Sequence, residues 1–149
     1  MQKGQTVLEF LFLILIIIIY ITATIIPLTK DANSAITDTE IIARANNETQ
    51  KITNTINEVA RMSSGTRQTI TVFVPDRTKI ICNDTNFSFD VNLSLKPYPA
   101  QCNTNGICTK YFQTAQNTVV NCSLEFIIGP SKKQIIIEKI DDSVFFTSG

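Results

Sequence analysis

Gln5-Thr6-Val7-Leu8-Glu9-Phe10-Leu11-Phe12-Leu13-Ile14-Leu15-Ile16-Ile17-Ile18-Ile19-Tyr20 begins the stretch whose reading decides the fold. Residues 10–28 carry no charge. Coiled as a helix they rise about 28 Å, close to the hydrocarbon thickness of a bilayer. Glu9 sits in the first turn of this run. A carboxylate deep in a membrane helix costs roughly 2.5–3.5 kcal/mol, so it normally has a partner. A cut between Gly4 and Gln5 would supply one, the new α-amine of Gln5, on the same helix or a neighbouring one. A secretory signal peptide suits the stretch less well, because the apolar middle is too long and Thr22-Ala23-Thr24 is a poor cleavage site. A plain anchor accounts for the length but leaves Glu9 unexplained.

Lys3 precedes the run, which predicts a cytoplasmic N-terminus and an external remainder. Pro27 lacks an amide donor and predicts a bend near the end of the run. From residue 31 to 62 polar residues dominate, yet Ile42, Ala45, Thr49, Ile52, Ile56 and Val59 recur at steps of three and four. That spacing is the apolar stripe of an amphipathic helix. One long helix is therefore expected from about residue 5 to 62, with Ser63-Ser64-Gly65 as its stop. The lower stripe, from Ile52 to Val59, should dock on the chain's own sheet. Residues 31–45 read as a stalk that touches neighbours.

Beyond Gly65 the period changes to two. Alternation predicts strands over residues 68–74, 78–82, 86–95, 118–128, 134–140 and 144–146. Pro75-Asp76, Lys96-Pro97-Tyr98-Pro99, Gly129-Pro130-Ser131 and Asp141-Asp142 punctuate them. In the 118–128 run, Val120, Cys122, Leu124, Phe126 and Ile128 are expected to face inward. One polar face per strand predicts an antiparallel sheet buried on one side under the long helix. The fold class is α+β: a long hydrophobic N-terminal helix, then a C-terminal antiparallel β-sheet domain. The expected organisation is a leader over residues 1–4, a membrane helix over 5–29, a helical stalk over 30–65 and an external β domain over 66–149.

The four cysteines, Cys82, Cys102, Cys108 and Cys122, form an even set in a domain expected outside the cytoplasm, which reads as two disulfides. Four cysteines allow three pairings, and sequence leaves them open. Shared core faces put Cys82 with Cys122 first; Cys102 and Cys108 flank a turn-rich loop and would pair locally. Asn-x-Ser/Thr sequons stand at Asn47, Asn83, Asn86, Asn92 and Asn121, candidate glycosylation sites.

The chemistry-bearing residues point away from catalysis. Net charge is zero and there is no histidine. The first removes the polyelectrolyte case for nucleic-acid binding; the second removes the commonest general base and metal ligand. There is no Gly-rich phosphate loop and no Cys-x-x-Cys pair, and Asp141-Asp142 reads as a solvated turn. We expect no catalytic residues, no metal, no cofactor and no small-molecule substrate.

Lys3-Gly4-Gln5, Glu9 and Leu13 together resemble the class III signal peptide of archaeal type IV pilins. That pattern has a basic residue and Gly before the cut, then Gln, a small residue two further on, Glu two beyond that, and Leu four later. Val7 departs from it, since the family usually has a small residue there. The resemblance covers about the first tenth of the chain. It implies cleavage between Gly4 and Gln5 by a prepilin peptidase, retention of the apolar helix, and assembly into a homo-oligomeric helical filament through membrane-embedded pilus machinery. It implies that Glu9 serves assembly, and that the chain passes from the cytoplasmic membrane, as precursor, to a cell-surface pilus used in adhesion or cell contact. Archaeal pilins are commonly N-glycosylated. Archaellins are a nearby family, but their N-terminal segment usually lacks the acid found here as Glu9. The alternative from a different class is a monomeric, single-pass membrane protein whose disulfide-bonded ectodomain binds a ligand.

Overall fold

The computed structural model describes residues 2–83, 86–94, 96, 98–100, 102–114, 119–122 and 126–148, with only the backbone of residues 2–6, 126 and 148. The element order is α1 (Gln2–Arg61), β1 (Arg67–Val74), β2 (Thr78–Asn83), β3 (Asn86–Asn92), β4 (Ile107–Gln113), β5 (Val119–Cys122), β6 (Phe126–Ile128), β7 (Ser131–Ile140) and β8 (Ser143–Ser148). The fold is α+β. Two compact units divide the chain, Met1–Thr37 and Asp38–Gly149, and α1 contributes to both.

Unit one is helical, and Pro27 lies within its helix. None of its residues from 7 to 33 is buried. The hydroxyls of Thr22, Thr24 and Thr29 donate to the carbonyls of Ile18, Tyr20 and Ile25 at 2.5, 2.6 and 2.8 Å. Each bond satisfies a polar side chain within its own helix, as an apolar surrounding demands.

Unit two packs the rest of α1 against two four-stranded sheets. The first has the order β1-β7-β8-β5 and the second β4-β3-β2-β6. All pairs are antiparallel except β5 with β8, which is parallel. The stripe read from the sequence is the buried face of the helix: Ala45, Thr49, Ile52, Ile56 and Val59 have no exposed surface. Packing starts earlier than the lower stripe suggested, since Asp38 and Ile41 are already buried. Ile41, rather than Ile42, takes the interior position there. Three threonines on this face bond inward to the helix itself. Thr49, Thr53 and Thr55 donate to the carbonyls of Ala45, Thr49 and Lys51.

One core joins the three layers. Val72, Ile135, Ile137, Val144 and Val120 from the first sheet meet Ile80, Phe87, Phe89 and Val91 from the second. Phe87 and Phe146 meet edge-to-face across the sheets, ring centroids 5.3 Å apart. The helix ends where Gly65 takes a φ of +88°, a conformation glycine adopts without a steric penalty. The Gly65 amide then donates to the Lys139 carbonyl, and the Lys139 amide donates to Thr66, so the chain leaves the helix stitched to β7.

Two sequence expectations need correction. The run over residues 118–128 is not one strand: β5 belongs to the first sheet and β6 to the second. The crossing reverses the face parity, so Ile127 is buried while Ile128 is 59% exposed. Thr118 and Leu124 lie outside the described residues, as do Leu95 and Pro97 of the 86–95 run and its closing turn. The second correction is β4, which pairs with β3 where only a loop was expected. The single sheet is accordingly two.

Candidate functional site: the apolar helix segment and the Asp38 clasp

An isolated helix that is apolar all round has no inner face. From Val7 to Leu28 every large apolar side chain is exposed, most of them by more than half; Phe10 is 64% and Ile16 64% exposed. A soluble helix hides one stripe, so this segment requires an apolar surrounding: lipid, or other helices of its kind. It is long and apolar enough to cross a membrane. Glu9 stands near its start and is exposed. Gly4 and Gln5 lie in the helix ahead of it, with side chains outside the described ones.

At the start of unit two a buried acid holds helix and sheets together. Asp38 is 5% exposed. Its Oδ2 accepts a hydrogen bond from the Ser94 amide at 2.8 Å, and its Oδ1 lies 3.1 Å from Arg77 Nη2. Arg77 Nη1 donates to the Ser94 hydroxyl. Arg77 occupies the β1–β2 turn with a φ of +56°, which costs a non-glycine residue about 1 kcal/mol. The ion pair and the bond from the Asn92 amide to the Arg77 carbonyl hold it there. A carboxylate removed from water must be matched in charge and in hydrogen bonds; here Arg77 brings the opposite charge to Oδ1 and the Ser94 amide brings a hydrogen bond to Oδ2. Sequence reasoning missed this group, because an acid on a polar helix looks solvated. The residues that complete it are distant in the chain.

Further along, Lys110 Nζ donates to Asn46 Oδ1 at 2.6 Å and Lys51 Nζ to the Thr71 carbonyl at 2.6 Å. At the far end Lys139 Nζ donates to the carbonyls of Ala60 and Met62 at 2.8 and 2.9 Å. An ammonium at the negative end of a helix satisfies its last carbonyls and complements the helix dipole.

The structure joins Cys82 to Cys122 and Cys102 to Cys108. The first bridge links β2 of one sheet to β5 of the other, with Cα atoms 6.1 Å apart. The second closes a small loop beside β4. Membrane-capable helix and disulfides together suit a chain held in a membrane and facing an oxidising compartment.

The sequons differ in their surroundings. Asn47, Asn83, Asn92 and Asn121 are exposed and Asn86 is half-buried. Asn83 and Asn86 face each other across the β2–β3 pair. Asn121 lies on β5, directly beside Phe145 of β8.

Compared with known proteins, the chain matches no family model, no curated protein and no solved structure.

Proposed function

We propose that the chain is a structural, non-enzymatic subunit of an archaeal type IV pilus. A prepilin peptidase cuts between Gly4 and Gln5, and the retained apolar helices bundle as the filament core with β domains outside. Glu9 meets the α-amine of Gln5 on its own or a neighbouring subunit and registers each incoming helix. The reading is supported above all by the segment from Val7 to Leu28, which has no covered face within the chain and carries an acid at its start. It passes without a break into the helix of a disulfide-bonded β unit.

The test is the N-terminal residue of the protein from its native cells, read by mass spectrometry of the intact chain and its first peptide. A mature start at Gln5 with the apolar run retained is expected. A start at Met1 would leave a single-pass membrane protein with an ectodomain. Glu9→Gln separates registry from anchoring: the variant should remain in the membrane and lose efficient filament assembly. Normal filaments from it would sink the registry role.

A further inference from the structure

An asparagine followed by glycine is the pair in a polypeptide most prone to losing its side-chain amide. Glycine has no side chain to shield its backbone nitrogen, which can reach the asparagine carboxamide and attack it. The sequence holds one such pair, Asn105-Gly106. It lies in the loop closed by the Cys102–Cys108 bridge, and Asn105 is exposed there. Gly106 behind it is buried. It sits against Tyr98, so closely that a Cβ on this glycine would come within 2.6 Å of the ring. Its φ of +80° is one that glycine adopts without a steric penalty.

The backbone around the pair is tied on several sides. The Gly106 amide donates to the Asn103 carbonyl at 3.0 Å, and the Gly106 carbonyl accepts from the Leu93 amide at 2.9 Å. The Asn103 amide donates to the Ile107 carbonyl at 2.9 Å. Asn103 Oδ1 accepts from the amides of Asn105 and Ile107 at 3.0 and 2.9 Å. An asparagine side chain that takes backbone amides in this way holds a turn in one shape. The bridge draws the two ends of the loop, Cys102 and Cys108, side by side.

We propose that Asn105 is a latent deamidation site that the stapled loop holds shut. In the reaction the Gly106 amide gives its proton to hydroxide, and its nitrogen forms a bond to Asn105 Cγ. The bond from Cγ to the side-chain nitrogen breaks, and that nitrogen takes a proton from water and leaves as ammonia. A five-membered imide remains. Water opens it at either carbonyl and leaves aspartate or isoaspartate at position 105. The folded loop opposes the first step twice. The Gly106 N–H is committed to Asn103, and the glycine nitrogen cannot turn toward the Asn105 side chain while its own carbonyl is held by Leu93. The site therefore reacts only when the loop opens, and the bridge gates that opening. The proposal stands whether or not the chain assembles into a filament.

Incubation of the full-length, detergent-solubilised protein at mildly alkaline pH tests this. Peptide mapping by mass spectrometry follows conversion at position 105, with aspartate and isoaspartate products separated by chromatography. The same chain, unfolded and reduced, gives the unrestrained rate. Because reaction waits on local opening, the folded, oxidised protein should convert more slowly by about a hundredfold or more. Cys102→Ser with Cys108→Ser should speed conversion of the folded chain by about tenfold. Asn103→Ala keeps the bridge and removes the side-chain acceptor; it should speed conversion by about threefold or more. Circular dichroism checks that each variant keeps its fold, and Asn103→Ala decides alone if the bridgeless chain does not. Equal rates for the folded and unfolded wild-type chains would overturn the lock. Folded variants that convert as slowly as the wild type would show that neither the bridge nor Asn103 keeps the site shut.

Discussion

One helix contains two opposite solutions to the same problem. Between residues 7 and 33 nothing is buried, and apolar side chains face every direction. Between residues 38 and 61 the apolar residues keep to one stripe, and Ile52, Ile56 and Val59 on it have no exposed surface. Both portions are regular α-helix, so local propensity does not separate them. The second portion brings its partners in its own chain, two sheets that supply the other side of a core. The first must find them elsewhere. A helix therefore announces the location of its partners by the width of its apolar surface: a stripe points inward to its own fold, and a full cylinder points outward to lipid or to other copies.

Substitutions can break this contrast at several strengths. The largest effect is expected from opening the bridge across the sheets. Cys82→Ser with Cys122→Ser releases a closed loop with a sequence separation of 40. Chain entropy puts the loss at about 4 kcal/mol. Urea denaturation followed by circular dichroism would measure it. Next comes a matched pair of truncations. Ile56→Ala should destabilise unit two by about 2–5 kcal/mol, because the residue is fully buried. Ile16→Ala, chemically the same change, should leave the unfolding midpoint of unit two unmoved, since Ile16 belongs to the other unit. Equal effects from the two would dissolve the distinction between the regions.

Asp38→Ala probes the point where inward packing begins. It strands Arg77 and leaves the Ser94 amide without its acceptor. A loss of about 2 kcal/mol is expected, below the value for a fully buried pair because the Arg77 side chain is 28% exposed. Hydrogen exchange at the first buried turns of α1 should rise in the same variant. The smallest effect belongs to Lys139→Met, which removes the ammonium from the last helical carbonyls and should cost about 1 kcal/mol. Faster exchange confined to the final helical turn would be its signature.

Sequence periodicity exposed the helix, its stripe and most of the strands because each is a local pattern. The stripe positions Ala45, Thr49, Ile52, Ile56 and Val59 were legible from spacing alone. What escaped depends on pairing between distant segments. β4 alternates Cys108, Lys110 and Phe112 on one side, and a lysine in that series hides an inward face; its ammonium lies 5.3 Å from the centre of the Phe112 ring and donates to Asn46. The 118–128 run alternates except at Val119 and Ile127, and alternation by itself does not mark the place where a chain leaves one sheet for another. The clasp was equally hidden, since Asp38, Arg77 and Ser94 meet only after the sheets have formed. At the N-terminal segment the balance is reversed: Glu9 and the uncharged run are plain in the sequence, while the partners they imply lie beyond a single chain.

The bridge between Cys82 and Cys122 also has a mechanical meaning. It ties the two sheets by a covalent bond, and the chain between its ends cannot lengthen under tension while it holds. A segment of that span, drawn out, would add about 130 Å of slack. With the tie in place a pull on the β unit meets a short load path that runs through the sulfur atoms, and the intervening strands β3 and β4 are shielded from the force. A surface protein built this way resists stretching like a closed link rather than paying out like a coil of rope.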